Sequence, residues 1–328
     1  MRALDLFAGT GWGVACQQLG IDEVGVEIMP AAIETRTANG MHTIYEDVWD
    51  GLLGGIDVGH YDILIASPPC QTFSVAGDGN GRKALDEVLA VVASGAYKDP
   101  ASLKQLGEST DMKTALVLTP LTHVYRDRPQ YVVFEQVPPV LPIWEACAKE
   151  MEKLGYSVWT GNIHAEQYGV PQVRKRAILV AKLGSPVSPP KPTHSKFYSN
   201  NPEKLDPGVL RWRTMKDDLG WGYIDRPSPA VGNSVGRGIG GGSGAQRTIV
   251  KSFAAGRFEA SPRATSGTLP EITRMNASDA GLIQSYPKDF NWRGTKTAIY
   301  LQIGNAVPPR MAKAVLEALI NQDEKETR

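Results

Sequence analysis

The sequence predicts an α/β protein: a mainly parallel sheet with helices on both faces, followed by a second, small and irregular domain. Three observations support this. Short apolar runs typical of strands alternate with helical stretches from Arg2 to about Ala181. A glycine-rich turn follows the first apolar run, as it does at many ligand sites of α/β proteins. From Gly184 to about Pro270 the chain becomes rich in Pro, Gly and Ser and loses clear periodicity.

The individual elements are predicted from local apolar patterns and from residues that typically begin or end helices and strands. Strands are predicted, in order, at Arg2–Phe7, Glu23–Glu27, Thr43–Tyr45, Tyr61–Ala66, Gln130–Glu135, Tyr156–Asn162 and Arg176–Ala181. Helices are predicted at Trp12–Leu19, from Pro30 to Asn39, around Ile143–Leu154, from Asn276 to Gln284 and from Pro309 towards Gln322. Ala298–Ile303 is predicted to be a further strand, and the long, poorly periodic segment Ala84–Lys113 is assigned no role.

Three units are expected along the chain. Residues 1–183 form the first domain, residues 184–270 the second, and residues 271–328 return to complete the first. The formal net charge is zero, yet residues 184–270 contain 12 Lys and Arg against 6 Asp and Glu. A basic segment within a neutral protein indicates a polyanionic partner held by that segment.

Composition excludes several classes of protein. The sequence has no run of eighteen apolar residues, so no transmembrane helix and no membrane partner are expected. Its three cysteines, Cys16, Cys70 and Cys147, are too far apart for a CxxC pair or a disulfide framework. No zinc spacing involves the histidines, so no metal is expected. The default location is a reducing cytoplasm.

One cysteine occupies a special position. Cys70 lies in Ser67-Pro-Pro-Cys-Gln-Thr-Phe-Ser74, directly after an apolar strand. Two prolines restrict the backbone before it and remove two amide donors. A stiff loop at the carboxyl end of a buried strand is a common place for reactive groups, and a cysteine there acts as a nucleophile when its thiolate is stabilised.

Polar residues follow other strand ends. Gly9 and Gly11 lie in the turn after the first strand, where glycine permits close approach of a ligand to the backbone. Glu27 ends the second strand and is suited to accept hydrogen bonds from ribose hydroxyls. Asp47 follows the third strand and is suited to accept from an adenine amino group. Together these residues describe an adenosine-shaped pocket.

A second polar group completes the pattern. Glu135 ends the fifth strand and is placed to give a proton to a substrate ring beside the cysteine loop. Arg174 and Arg176 alternate, so in a strand they share one face. Their guanidinium groups suit a phosphate, a carbonyl oxygen or the Glu135 carboxylate.

These residues resemble the DNA (cytosine-5) methyltransferase family. Six segments match its motifs in order: Asp5–Gly13, Ser67–Ser74, Phe134–Val137, Gln172–Arg176, Ala280–Phe290 and Gly304–Pro308. The resemblance implies a Rossmann-like, AdoMet-dependent methyltransferase domain with a small irregular target-recognition domain. It implies that residues of the glycine turn, the strand ends and the last motif hold S-adenosylmethionine, released as S-adenosylhomocysteine. They are Phe7, Gly9, Gly11, Glu27, Asp47, Val48, Pro68, Asn305 and Val307.

The resemblance also implies a reaction. Cys70 attacks C6 of a cytosine flipped out of a specific duplex DNA sequence, Glu135 acts at N3, and Arg176 contacts the cytosine O2 or steadies Glu135, with Arg174 in support. DNA contacts are implied for Gln71, Ser74, Arg82, Arg211, Arg213, Arg237, Arg247 and Lys251. The expected protein is a monomer in a bacterial or phage-infected cell, with double-stranded DNA as partner and a cognate restriction nuclease as a possible companion.

The sequence departs from the family pattern at two positions in these motifs. Gln136 stands where the family has asparagine after the glutamate, and Ser67 replaces a more usual glycine before Pro-Pro-Cys. Three alternatives stay open: a methyltransferase acting on cytosine in RNA, an amino-methyltransferase with the same Ser-Pro-Pro start, and a catalytically silent DNA-binding relative. Cys70 disfavours the amino-methyltransferase, which needs no nucleophile.

Overall fold

A computed structural model of the chain describes residues 1–54, 58–69, 85–109, 112–232 and 243–320. Its main sheet has seven strands in the spatial order β3-β2-β1-β4-β5-β7-β6. In chain order they are β1 Arg2–Leu6, β2 Asp22–Glu27, β3 His42–Tyr45, β4 Ile63–Ala66, β5 Tyr131–Gln136, β6 Tyr156–His164 and β7 Lys175–Leu183. All adjacent pairs are parallel except those of β7, which runs antiparallel to β5 and β6. The mainly parallel sheet is confirmed, as are the seven strands predicted between Arg2 and Ala181.

Helices cover the sheet and extend beyond it. Those of the first half are α1 Gly11–Leu19, α2 Pro30–Ala38, α3 Val48–Leu52, α4 Leu85–Ser94, α5 Pro100–Ser109, α6 Met112–Ala115, α7 Thr119–Asp127 and α8 Leu141–Lys153. Later ones are α9 Met215–Leu219, α10 Ser243–Ala254, α11 Leu269–Ile272, α12 Ala277–Ile283, α13 Lys296–Asn305 and α14 Pro309–Ile320. Short 3₁₀ helices lie at Ala96–Lys98, Leu116–Leu118, Pro138–Val140 and Ala165–Tyr168.

The sheet has a buried core on each face because side chains alternate along every strand. On β4, Leu64 and Ala66 join one apolar cluster, whereas Ile63 and Ile65 join another. The first cluster contains side chains of α4, α7 and α8. The second is closed by α1 and by α14, whose Met311, Ala312, Val315, Leu316 and Leu319 are buried there. The C-terminal helix therefore packs on the same sheet face as the first helix.

One segment differs from the sequence prediction, and another, to which the sequence assigns no role, contributes to the core. Ala298–Ile303, predicted as a strand, lies inside helix α13, whose N-cap residue Thr295 accepts a hydrogen bond from the backbone N–H of Ala298. Its short apolar run is ambiguous between strand and helix, and the helix buries Tyr300 and Ile303 together. The poorly periodic segment 84–113 contributes buried residues to the first core cluster, among them Val88, Val92 and Leu103.

A third apolar cluster lies outside the main sheet. It combines residues on both sides of position 270, including Trp221, Phe258 and Ile283. Within it, the two-residue strands β8 Gly222–Tyr223 and β9 Phe258–Glu259 pair antiparallel. Short strands within a largely irregular segment agree with the sequence pattern. No helix among the described residues is long and apolar enough to span a membrane, and no group of three or more potential metal ligands occurs among them.

Candidate active site

A cavity of about 370 Å³ opens at the carboxyl ends of β1, β2, β4 and β5. Its walls include all nine residues assigned to the cofactor from the sequence: Phe7, Gly9, Gly11, Glu27, Asp47, Val48, Pro68, Asn305 and Val307. Glu135 and Arg176 line the same cavity. The fold thus brings the strand-end carboxylates, the glycine turn and the last motif to one place.

The glycine turn is shaped for close approach. Phe7 and Gly9 adopt left-handed backbone conformations, with φ of 58° and 48°, which is uncommon for an aromatic residue. A side chain at Gly11 would collide with the carbonyl oxygen of Val307. Glycine at this position therefore allows the start of α1 to lie directly against the last motif.

Glu27 and Asp47 are fixed by backbone donors. The Glu27 carboxylate accepts hydrogen bonds from the N–H groups of Gly9, Ile28 and Met29 at 2.8 to 2.9 Å. Asp47 caps α3 by accepting from the N–H of Trp49 at 3.0 Å. A carboxylate has about four acceptor positions, so each side chain still has acceptor capacity that faces the cavity.

A buried charge cluster lies behind the glycine turn. The guanidinium of Arg36 is fully buried; it donates to both carboxylate oxygens of Glu23 at 2.7 and 2.9 Å and to the Gly9 carbonyl at 3.1 Å. Asp5 is also fully buried nearby. Burial raises the pKa of Asp5 well above its usual range, and the neighbouring Glu23 carboxyl raises it further. One guanidinium thus faces two carboxyl groups, and burial favours the protonated form of Asp5.

Glu135 and Arg176 form the second polar centre of the cavity. The Arg176 Nε atom lies 2.8 Å from Oε1 of Glu135, and both side chains are largely buried. Burial raises the pKa of the Glu135 carboxyl, while Arg176, Arg174 and a hydrogen bond from Ser67 lower it. A carboxyl group whose environment favours retention of its proton is suited to give that proton to a substrate.

Arg174 has a different environment from Arg176. It precedes β7, is buried, and donates to the carbonyl oxygens of Val231, Gly304 and Ala306 at 2.9 to 3.1 Å. The side chain therefore joins the Gly184–Pro270 segment to the last motif. Because Arg174 precedes β7, the expectation that it shares one face of a strand with Arg176 does not apply.

The segment before Cys70 is held from three sides. The backbone N–H of Ser67 donates to the Leu6 carbonyl oxygen at 3.3 Å, and the Trp12 indole N–H donates to the Ser67 hydroxyl oxygen at 2.9 Å. The Gln136 side-chain amide donates to the Pro68 carbonyl at 2.5 Å. Cys70 itself lies outside the described residues, as do Gln71, Ser74, Arg82 and Arg237.

The remaining cations assigned to DNA lie in three different environments. Arg213 forms a 2.7 Å ion pair with Asp218, which also binds Arg310 of α14 at 2.9 Å. Arg211 is exposed, and its guanidinium lies over the Trp212 ring, 4.3 Å from the centroid. Arg247 and Lys251 are exposed one helical turn apart on α10, and neither forms an ion pair with a described residue.

Sequence reasoning missed part of the cavity wall. Trp12, Ile28, Met29 and Leu116 also line it. The positions of Ile28 and Met29, directly after Glu27 at a strand end, were a usable signal. Leu116 follows the poorly periodic segment, and nothing in the local sequence indicates that it reaches the cavity.

A doubly covered sheet with a cavity at the carboxyl ends of its strands defines a ligand-binding α/β protein. The model of the C-5 cytosine-specific DNA methylase family matches residues 1–92 and 104–321, and the chain belongs to that family. It is accordingly a DNA (cytosine-5)-methyltransferase, as the motif resemblance predicts. The match leaves out residues 93–103 and 322–328, and its internal gap is much shorter than the expected insertion Ala84–Lys113.

Relatives of similar length support the assignment. The chain is 27% identical over 351 residues to "Type II methyltransferase M.HindV" of Haemophilus influenzae, covering 100% of this chain and 99% of the relative. It is 24% identical to "Type II methyltransferase M1.HphI" of Haemophilus parahaemolyticus, covering 98% and 87%.

Solved structures share the fold. One is the Dnmt2 methyltransferase of S. pombe, with a TM-score of 0.62 at 15% identity and 99% coverage of both chains. Another is a putative DNA modification methyltransferase encoded within a prophage of E. coli, with a TM-score of 0.58 at 18% identity and 99% coverage of both chains.

Proposed function

We propose that this enzyme methylates C5 of a cytosine flipped out of a specific duplex DNA sequence, through a covalent adduct between Cys70 and C6. The observation that carries the proposal is the shared cavity. The Glu135–Arg176 pair lines it together with Glu27, Asp47 and Pro69, the residue immediately before Cys70 in the sequence. A cofactor and a reacting base would therefore meet in one space.

S-Adenosylmethionine fits the cavity by the chemistry of its lining. Glu27 and Asp47 offer acceptors for ribose hydroxyls and an adenine amino group, and Ile28 and Val48 supply apolar walls. Gly11 leaves room for the approach of the last motif. When bound, the cofactor supplies the methyl group.

The chain's own residues activate the base. The Cys70 thiolate adds to C6, which makes the otherwise electron-poor C5 nucleophilic. Glu135 protonates N3 or donates a hydrogen bond to it, and Arg176 keeps the carboxyl in position or contacts O2. After methylation, loss of the C5 proton and release of Cys70 give 5-methylcytosine. Arg174 supports the site through the carbonyl groups that it binds.

We further propose that residues 184–270 recognise the target and that residues 271–328 complete the catalytic domain. The excess of Lys and Arg in the former segment supports a DNA partner. The names of the bacterial relatives support a Type II role, with a cognate nuclease as companion, in the bacterial cytoplasm.

The decisive experiment supplies the purified protein with S-adenosylmethionine and unmethylated duplex DNA, then analyses the nucleosides by mass spectrometry. We expect 5-methylcytosine with the wild type and none with Cys70→Ser. Sequencing of the methylated product then gives the site. If DNA binds tightly and stays unmodified, the silent DNA-binding alternative gains support; methylation of RNA alone would favour the RNA enzyme.

A further inference from the structure

Ser67 lies between two parts of the cavity wall. One is the glycine turn with Trp12, the proposed cofactor side, and the other is the Glu135–Arg176 pair, the proposed base side. It directly follows β4, whose Ala66 is in register with Phe134 of the parallel strand β5. The next residues, Ser67 and Glu135, are therefore lateral neighbours, and both line the cavity. Glycine is the more usual residue at this position of the family motif, and it would supply no hydroxyl.

The Trp12 indole determines how that hydroxyl is used. Trp12 lies in α1 at the glycine turn, is 1% exposed, and donates from Nε1 to Ser67 Oγ at 2.9 Å. An indole N–H is only a donor, so the hydroxyl oxygen must accept this bond. The Ser67 proton is then directed to another acceptor, and the Glu135 carboxyl, the lateral neighbour of Ser67 at the end of the adjacent strand, is the acceptor that we assign to it.

We propose that Ser67 is a positioning residue that connects Trp12 of the cofactor side to Glu135 of the base side through a directed hydrogen-bond relay. The inference rests on the proposed function for its catalytic meaning. The relay itself is a property of three named side chains and is measured independently of methyl transfer.

The relay is expected to change the pKa of the Glu135 carboxyl, which other charged groups also face. Arg176 and Arg174 face the carboxyl from the β7 side, and Ser67 faces it from the end of β4. The arginines and the hydroxyl all stabilise the carboxylate against the effect of burial. Loss of the Ser67 hydroxyl should raise the pKa of Glu135, because the two arginines remain and one donor disappears.

The direct test is a pH titration of the intact protein labelled with ¹³C at the glutamate side-chain carboxyl. The Glu135 signal is assigned by its absence in Glu135→Gln. We expect Ser67→Ala to raise the pKa of Glu135 and Ser67→Thr, which keeps a hydroxyl, to leave it near that of the wild type. An unchanged titration in Ser67→Ala would overturn the proposal.

Trp12→Phe tests the other end of the relay. It should raise the pKa of Glu135 less than Ser67→Ala does, because the hydroxyl stays but is no longer oriented. The double variant Trp12→Phe/Ser67→Ala should titrate like Ser67→Ala alone. Independent, additive effects would show that Trp12 acts through packing and would overturn the relay. Trp12→Phe also keeps the test possible if Ser67→Ala fails to fold.

Methylation kinetics separate the two proposals. With Glu135 as the acid, the high-pH limb of the rate profile should move to higher pH in Ser67→Ala and stay in place in Ser67→Thr. A uniform loss at every pH would indicate a purely structural serine and contradict the relay. If the wild type methylates no DNA while the carboxyl titration still responds to Ser67, the relay stands and the proposed function fails.

Discussion

Gln136, which stands where the family motif has asparagine, still supports the segment before Cys70. The sequence raises the question whether a glutamine loosens the support that an asparagine gives. In the structure, its amide donates to the Pro68 carbonyl, and its own carbonyl oxygen accepts from the N–H of Val137. The longer side chain thus reaches the segment before Cys70. No sequence pattern reports this contact, since the partners are 68 residues apart.

Replacing Gln136 by methionine should lower the methylation rate constant about tenfold, with a smaller effect on the KM for DNA. Methionine keeps the volume but removes the donor to Pro68, a loss of about 1.5 kcal/mol. Single-turnover transfer of a radiolabelled methyl group measures the change. The matched control is Gln130→Met. Gln130 directly precedes β5, and its exposed side chain donates to the Leu183 carbonyl at the end of β7. Equal rates for the two variants would contradict the role.

Asp5 should make the folded state pH-sensitive. Its folded-state pKa is raised by burial above the ordinary value of 3.8. The native state therefore holds a proton that the unfolded chain has lost, so the stabilising contribution is complete below about pH 3.8 and is lost as pH rises through the folded pKa. Asp5→Asn removes this dependence.

The expected result is that Asp5→Asn gains stability relative to the wild type as pH increases from 4 to 8. Urea denaturation at a series of pH values measures the difference. Asp22→Asn is the control, because that side chain is 65% exposed. Parallel stability curves for the wild type and Asp5→Asn would show that the Asp5 carboxyl titrates normally.

At the scale of elements, residues that typically start or end helices allow several helix boundaries to be predicted from the sequence. Pro30 starts α2, Gly20 in a left-handed conformation ends α1, and Asn276 caps α12 through a capping box. These signals are local, so sequence alone predicts them. The short apolar run within α13 does not distinguish a helix from a strand. Its helix is instead stabilised by burial against residues distant in the sequence.

Gly11→Ala should abolish tight binding of S-adenosylmethionine. The added methyl group would meet the backbone of Val307, which must move and open the cavity wall between α1 and the last motif. We expect at least a tenfold loss of affinity, or about 1.4 kcal/mol, by calorimetry. Gly267→Ala is the control, since its added methyl group meets open space. Normal binding by Gly11→Ala would contradict the close approach.

Helix α10 should supply DNA contacts. Arg247 and Lys251 lie one turn apart and exposed, with the half-exposed Val250 between them. Each alanine variant should weaken DNA binding and reduce the slope of log K against log salt by about 0.9 per lost phosphate contact. Lys216→Ala is the matched control, because Lys216 already pairs with Glu259. An unchanged salt slope in both variants would remove α10 from the interface.

At the scale of the whole molecule, composition distinguishes two segments of the chain but does not show that they share a hydrophobic core. The basic, glycine-rich segment begins near Gly184, as its Pro, Gly and Ser content indicates. Its apolar cluster, however, takes six of twelve buried members from beyond position 270: Ile272, Met275, Ala280, Ile283, Tyr300 and Ile303. Such partners are brought together by tertiary packing, which leaves no periodic signal in the sequence.

This shared cluster predicts that residues 184–270 do not fold alone. Removing six buried members forfeits roughly 10 kcal/mol of apolar burial at about 1.5–3 kcal/mol for each large side chain, comparable with the whole stability of a domain. We expect no cooperative thermal transition by circular dichroism for a 184–270 fragment, whereas the full chain melts cooperatively. A 184–305 fragment, which restores the six residues, should recover tertiary signal from Trp221. A sharp, reversible transition in the shorter fragment would instead establish position 270 as a true domain boundary.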